Sequence, residues 1–386
     1  MIGFLLFLIS MWSERFFDYI VLRAEEFGLK SRAQDVYVFS ISENQFYLIP
    51  SQIDEVEYVN DKKTYKIGDG SFSAKDELVF PARYCGDKAD KKDISGFFES
   101  VFEVEVWDSQ NRKYCYVGIK SKGSLAKFKR IQPEGIKVSK RGDEIIVSQD
   151  NRYSIFDNLR PVVKSIYMKD DGDFKQVFFG LKADIYIELL SLIKIRKTEQ
   201  DMYAKPVFMK SGDVRALRSI RPYADIGFGI KIPGADTTSY IYKGFMYVEN
   251  AVPVPFNLKY LSRQAYANIY LSFLRPKKFV SEKNNIEINA QPTTANEDGH
   301  MWGFIEGDNW SAAYFIKELS DIPIKRSLYY QDDGRNFYVG ISLNILDLPK
   351  GEHKFALYGF FMPPGNLESA KRTVFDPLSF KIRKVI

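Results

Sequence analysis

"ADIYIELLSLIKIRK", residues 183–197, decides how the chain folds. Ile185, Ile187, Leu189, Ile193 and Ile195 fall on one side of a period of two, and Asp184, Glu188, Lys194 and Arg196 on the other. Successive strand side chains point to opposite faces, so the alternation predicts one long, half-buried strand. The period recurs in both directions from here. "VFEVEVWD" and "KYCYVGIK" flank the polar turn "SQNR" and read as a hairpin. "EGIKVSK" and "EIIVSQ" around "RGD" make a second, and "SIYMKDDGDFKQVFFG" a third, turning on Asp-Asp-Gly-Asp. Helical patterns are few and short: "RAEEFGLKSRA" and "NLESAKRTVFD".

Composition agrees with the pattern. The 386 residues are 45% hydrophobic and 27% charged, as in a folded globular protein, and carry 31 Phe and 24 Tyr against 2 His. Aromatic residues suit pleated, half-buried surfaces. The expected fold is mainly β: an N-terminal β-sandwich module followed by a larger antiparallel multi-stranded β-sandwich domain. The stretch "SKGSLAKFKRIQPEG" (121–135) is short of large apolar residues and ends in Pro133 and Gly135. It separates a first part, 13–122, from a second, 135–386. The second part is read either as one extended sandwich or as two units meeting near "LRPKKFVSEKNN" (274–285).

The 55 basic and 50 acidic residues leave a formal charge of +5, with no lysine or arginine block. That field is too diffuse for a nucleic-acid surface. "MIGFLLFLISMW" (1–12) has the length of the apolar region of a signal peptide and is too short to span a bilayer comfortably. It lacks a preceding cation and a small-x-small cleavage site. The reading is a signal peptide or a short retained anchor, and hence an extracytoplasmic protein of the periplasm or cell surface. No later stretch reads as a transmembrane span. The only cysteines, Cys85 and Cys115, close a disulfide in such a compartment; the alternative is two buried thiols. No Cys or His stands near either one at zinc-ligand spacing.

Eight carboxylates crowd the two stretches 51–58 and 69–90: Asp54, Glu55, Glu57, Asp69, Asp76, Glu77, Asp87 and Asp90. A calcium loop centred on Gly70 would need ligands at Tyr65 and Ile67, which supply no carboxylate. Adjacent acids on a strand face opposite ways, so Asp54–Glu55 and Asp76–Glu77 are not catalytic dyads. These acids read as connectors and network-formers around strand ends. Motifs of the common hydrolases, nucleotide-binding folds and zinc proteases are absent, and neither a cofactor nor a metal is expected.

Two segments carry candidate ligand-binding residues. In "GDVRALRSIRPYAD" (212–225), which also holds Tyr223, Arg215 and Arg221 share a strand face and Arg218 takes the other, and guanidinium groups so placed can clamp carboxylates; the alternative is surface arginines with buried stems. In "NEDGHMWGFIEGDNW", His300, Trp302 and Trp310 lie among acids, as in a sugar-stacking platform; the alternative is aromatic core. "IPSQIDE", then "DELVF", and later "YYQDDG" and "LPKGEHKF", resemble an uncharacterised family of exported bacterial β-rich proteins. The front part is also similar to β-sandwich modules that precede some polysaccharide lyases. The first resemblance implies an exported β protein and assigns no catalytic residue. Together these readings favour a non-enzymatic extracytoplasmic protein whose partner is an envelope polysaccharide or an envelope protein of a surface assembly. The alternative is a carbohydrate-active enzyme of lyase or epimerase type, with Arg215, Arg221, Tyr223 and His300 in one cleft.

Overall fold

The computed structural model describes residues 15–386, apart from 29, 60–61, 191–192, 226–230, 234–236, 255–256, 261, 275, 290, 320–323 and 335. The apolar stretch read as a signal peptide or anchor therefore lies outside the described residues. The fold is mainly β, its sheets largely antiparallel, and Phe128–Arg130 pairs in parallel with Gln45–Ile49. Among the described residues no helix is long and apolar enough to cross a membrane. The chain divides into two compact units, one of Met1–Gly135, Gly212–Arg215 and Glu368–Ile386, the other of Ile136–Ser211 and Ala216–Leu367.

In the first unit a three-stranded sheet orders Tyr19–Arg23, Glu77–Pro81 and Gln52–Asp54. A six-stranded sheet runs Phe128–Arg130, Gln45–Ile49, Val36–Ser42, Arg112–Ser121, Phe98–Trp107 and Ser379–Lys384. Leu22, Phe72, Leu78, Phe80, Val104 and Val117 fill the core of this sandwich. A second cluster of Phe39, Phe98, Val101, Tyr116 and Phe128 covers other side chains of the large sheet. Both faces of its central strands are thus buried, which explains the near-continuous burial of Val101–Val106, including Glu103 and Glu105. Arg383 answers those two acids from the neighbouring strand. Cys85 and Cys115 form a disulfide inside the first core.

In the second unit a nine-stranded sheet lies over a ten-stranded one, with one continuous core between them. Along part of the nine-stranded sheet the order is Val163–Asp170, Asp173–Leu189, Ser262–Phe273, Phe337–Asn344 and, at the edge, Arg326–Asp332. Phe178, Phe273, Val339 and Ile341 point inward to meet Ile305, Ala312, Ile316 and Phe361. The stretch 183–197 is a hairpin rather than one long strand. Leu190 adopts φ 50°, and Ile193–Thr198 returns to pair with Asp173–Leu189. Ile187 sits opposite Ile195, so the turn keeps the apolar residues on one face and hides itself from a pattern-based reading. "RAEEFGLKSRA" forms two short 3-10 turns, Ala24–Phe27 and Ala33–Asp35, whereas "NLESAKRTVFD" forms the expected helix, Leu367–Phe375.

Candidate functional site

The alternation that builds the nine-stranded sheet also sorts its chemistry. On Ser262–Phe273 the residues Ala265, Ala267, Ile269, Leu271 and Phe273 pack into the core. The opposite face therefore carries Gln264, Tyr266, Asn268, Tyr270 and Ser272. Register extends that polar face sideways. Tyr186 stands opposite Tyr266, Asp184 opposite Asn268 and Lys182 opposite Tyr270 on one side. Asn344, Ser342 and Gly340 stand opposite the same three residues on the other. Tyr329 pairs with Gly340.

The tyrosines make stacked pairs across the strands. Tyr186 and Tyr266 have ring centroids 5.3 Å apart, and Tyr270 and Tyr329 are 4.5 Å apart at 17°. Tyr338 meets Tyr270 edge-on at 5.7 Å. All five rings are half-buried. Burial, then the neighbouring Tyr329, pushes the Tyr270 hydroxyl up to about 12, and burial raises Tyr186 and Tyr329 as well. These three stay neutral at physiological pH and present flat rings with hydroxyl donors. At the centre Asp184 is buried and held bidentately by Arg196, at 2.8 and 3.1 Å.

One end of this face deepens into a cleft of about 480 Å³. Tyr266, Ser327, Ser342 and Asn344 belong to its wall, Asp298 is its acid, and Arg263, Lys325 and Arg326 are its cations. Its edge is fixed by the loop that carries His300. Leu328 N–H donates to Glu297 O at 2.8 Å, and Gly299 N–H donates to Arg326 O at 2.9 Å.

His300 itself faces the interior. It is fully buried, with Nδ1 2.9 Å from Glu297 Oε1 and Nε2 2.7 Å from Tyr314 Oη. Burial lowers the imidazole pKa despite the nearby Glu297, so the neutral ring donates from Nδ1 and accepts the Tyr314 hydroxyl at Nε2. Burial opposes ionisation of Glu297 too. Hydrogen bonds from Ser281, His300 and Lys283 N–H outweigh it and hold the carboxyl below its usual range. The network clamps the loop that bears Asp298.

The other residues singled out from sequence have separate surroundings. Trp310 is buried and stacked on Phe273 at 5.7 Å, and Trp302 is half-buried against Phe315. Tyr223 stacks on Tyr203 at 5.4 Å, while Arg221 is exposed. Arg215, in the first unit, is 2% exposed and clamps the protein's own acids: Nε lies 2.8 Å from Asp54 and Nη2 2.8 Å from Glu77. Gln52 Oε1 accepts the Val214 and Arg215 N–H groups, and its amide donates to Asp54. Neighbouring acids serve backbone. Glu55 accepts from Asp69 and Gly70 N–H, and Asp76 from Val56 and Ser73 N–H. Among the described residues no group of three or more His, Cys, Asp or Glu is placed to hold a metal ion.

The tyrosine face was missed by sequence reasoning because its members come from four separate strands. One signal was present: "QAYANIYLS" places Tyr266, Asn268 and Tyr270 on one side of an alternating strand.

No protein-family model matches the sequence, and no curated protein sequence does. Solved structures give distant likenesses. A glycosyl hydrolase family 38 protein from Enterococcus faecalis is 10% identical, with a TM-score of 0.44 over 95% of this chain and 45% of the other. This chain thus spans less than half of that protein. The Slr1438 protein of Synechocystis sp. PCC 6803 is 8% identical, with a TM-score of 0.37 over 60% of this chain and 97% of the other. A heparinase III, the BT4657 gene product, is 9% identical, with a TM-score of 0.27 over 62% of this chain and 36% of the other. At such scores and identities the chemistry of this chain rests on its own geometry.

Proposed function

We propose that this chain is a non-enzymatic extracytoplasmic protein that binds an envelope polysaccharide along the tyrosine face of the nine-stranded sheet. The observation that carries the reading is the two stacked tyrosine pairs, Tyr186–Tyr266 and Tyr270–Tyr329, beside a cleft lined by Arg263, Lys325 and Arg326. Flat rings accept the C–H faces of sugars, the intervening Ser and Asn side chains meet hydroxyls, and the cations favour a chain bearing carboxylate or sulfate groups. The Cys85–Cys115 disulfide supports an oxidising location.

The enzymatic alternative asks Arg215 and His300 to act on one substrate. Arg215 already neutralises Asp54 and Glu77, and His300 is sealed between Glu297 and Tyr314. Both arrangements support a binding role over turnover. The deciding experiment is a glycan array with the purified chain, followed by product analysis on every hit. Binding of acidic polysaccharides without new products, lost in Tyr266→Ala, is the expected result. Product formation, or binding unchanged in Tyr266→Ala, overturns the proposal.

A further inference from the structure

The face that carries the tyrosines continues beyond Tyr270. On Val163–Asp170, Ile166 and Met168 pack into the core, which puts Tyr167 and Lys169 on the outer side of the sheet. Tyr153 stands opposite Tyr167, and the two rings stack 4.4 Å apart at 12°. Phe174 stands opposite Lys169 and meets the Tyr153 ring at 5.1 Å. Phe174 is 41% exposed, Lys169 is exposed, and both tyrosines are half-buried. A second platform thus combines flat rings with a cation, on the same face of the same sheet as the first.

One more ring lies between the two platforms. Register slips between Phe178 and Gly180, and Phe179, the extra residue of that bulge, is 45% exposed. It lines a cavity together with Ser272, which belongs to the tyrosine face. The strand Asp173–Leu189 runs past all of these rings and measures their spacing. Gln176 stands opposite Tyr167, Phe179 follows, Lys182 stands opposite Tyr270, and Tyr186 stands opposite Tyr266. Successive stops are three or four residues apart, about 10–13 Å along the strand, and the whole row extends about 30 Å.

Exposed rings gathered on one face mark a contact surface. A small ligand would be served by a single stack. A row of stops along one strand, with Lys169 at one end and Arg263 at the other, suits a ligand that is itself extended, repetitive and anionic. We infer that one acidic polysaccharide chain lies along Asp173–Leu189 over this whole row, so that the protein selects long chains over short oligosaccharides. The inference deepens the polysaccharide reading and rests on it. Each stop holds one segment, and engagement of the first raises the local concentration of the same chain at the next.

The test is isothermal titration of the full chain with alginate, which bears carboxylates, and heparin, which bears sulfates, each as intact polymer and as disaccharide. At least one polymer is expected to bind, about a hundredfold or more tighter than its disaccharide. Phe174→Ala and Phe179→Ala, made separately, should each weaken polymer binding about fivefold, the scale for one aromatic contact. Both rings are exposed, so either variant keeps the test open if the other does not fold. If polymer and disaccharide bind alike, or polymer binding is unchanged in both variants, the inference falls. Loss of polymer binding in Tyr266→Ala would then still support the tyrosine face, whereas failure of both polymers to bind ends both readings, so the two failures are distinguishable.

Discussion

Arg215 reaches Asp54 across 161 positions of sequence and holds it in a buried ion pair, Nε to Oδ2 at 2.8 Å. The same guanidinium holds Glu77. Arg215→Ala would remove the shared cation from two buried carboxylates and leave Glu77 to Lys63, at a cost of about 3–5 kcal/mol. Urea unfolding should register that loss, with hydrogen exchange accelerating in Gln52–Asp54 and Glu77–Pro81. Arg215 and Lys63 overcome the opposing effect of burial and lower the Glu77 pKa from 4.5. Its contribution is therefore complete above about pH 4.5 and is lost as pH falls through the folded value.

The His300 clamp has its own pH signature. The imidazole pKa is lowered in the fold from 6.5, so below that pH the unfolded chain binds the extra proton and the folded chain resists it. Stability of the second unit should fall as pH drops through 6.5 and below. His300→Gln, which keeps the hydrogen-bonding capacity, should flatten that part of the curve. Thermal melts of both proteins between pH 7.5 and about 5 would check it, and parallel curves would refute the assignment.

Gly303 sits opposite Tyr314 in register, and a Cβ at that position would lie 2.6 Å from the tyrosine ring and hydroxyl. Gly303→Ala must push Tyr314 away and break its contact with His300. A loss of about 1–3 kcal/mol is expected, the usual cost of overpacking a core. The variant should also lose the pH signature of His300, which a purely local packing defect would spare.

Removing the disulfide tests the first unit. In the chain-entropy model a loop closed over 30 positions contributes about 3–4 kcal/mol. Cys85→Ser with Cys115→Ser should lower the unfolding midpoint of that unit, and dithiothreitol should have the same effect on the unaltered chain.

Ionic strength probes the cleft. Arg263→Ala and Lys325→Ala should each weaken binding of an acidic polysaccharide several-fold at low salt. The difference from the unaltered chain should shrink as salt screens the field. Lys325 also pairs with Asp347 at 2.8 Å, so Arg263→Ala is the cleaner of the two.

The mainly β class was legible because alternation is a local property. The hairpin of Phe98–Trp107 and Arg112–Ser121 appears where the polar turn between two apolar runs placed it. Sites are not local. Arg215 reads in sequence as a free cation for a ligand, because nothing near it reveals that Asp54 and Glu77 will surround it. His300 stands among Glu297, Asp298 and Gly299 and looks exposed, yet the partner that draws it inward is Tyr314, from a neighbouring strand. Tyr186, Tyr266, Tyr270 and Tyr329 become one surface only through strand register, which no single segment specifies.

The pairing of Phe98–Trp107 with Ser379–Lys384 has a consequence for biosynthesis. Arg383 is 280 positions later than Glu103, so a ribosome must translate nearly all of the intervening chain before that edge of the sheet is covered. Until then a long apolar strand stands with open hydrogen-bonding groups, available to neighbouring nascent chains. A nonsense mutation shortly before residue 379 would make that exposure permanent, and its product should accumulate as aggregate despite keeping every residue of the tyrosine face.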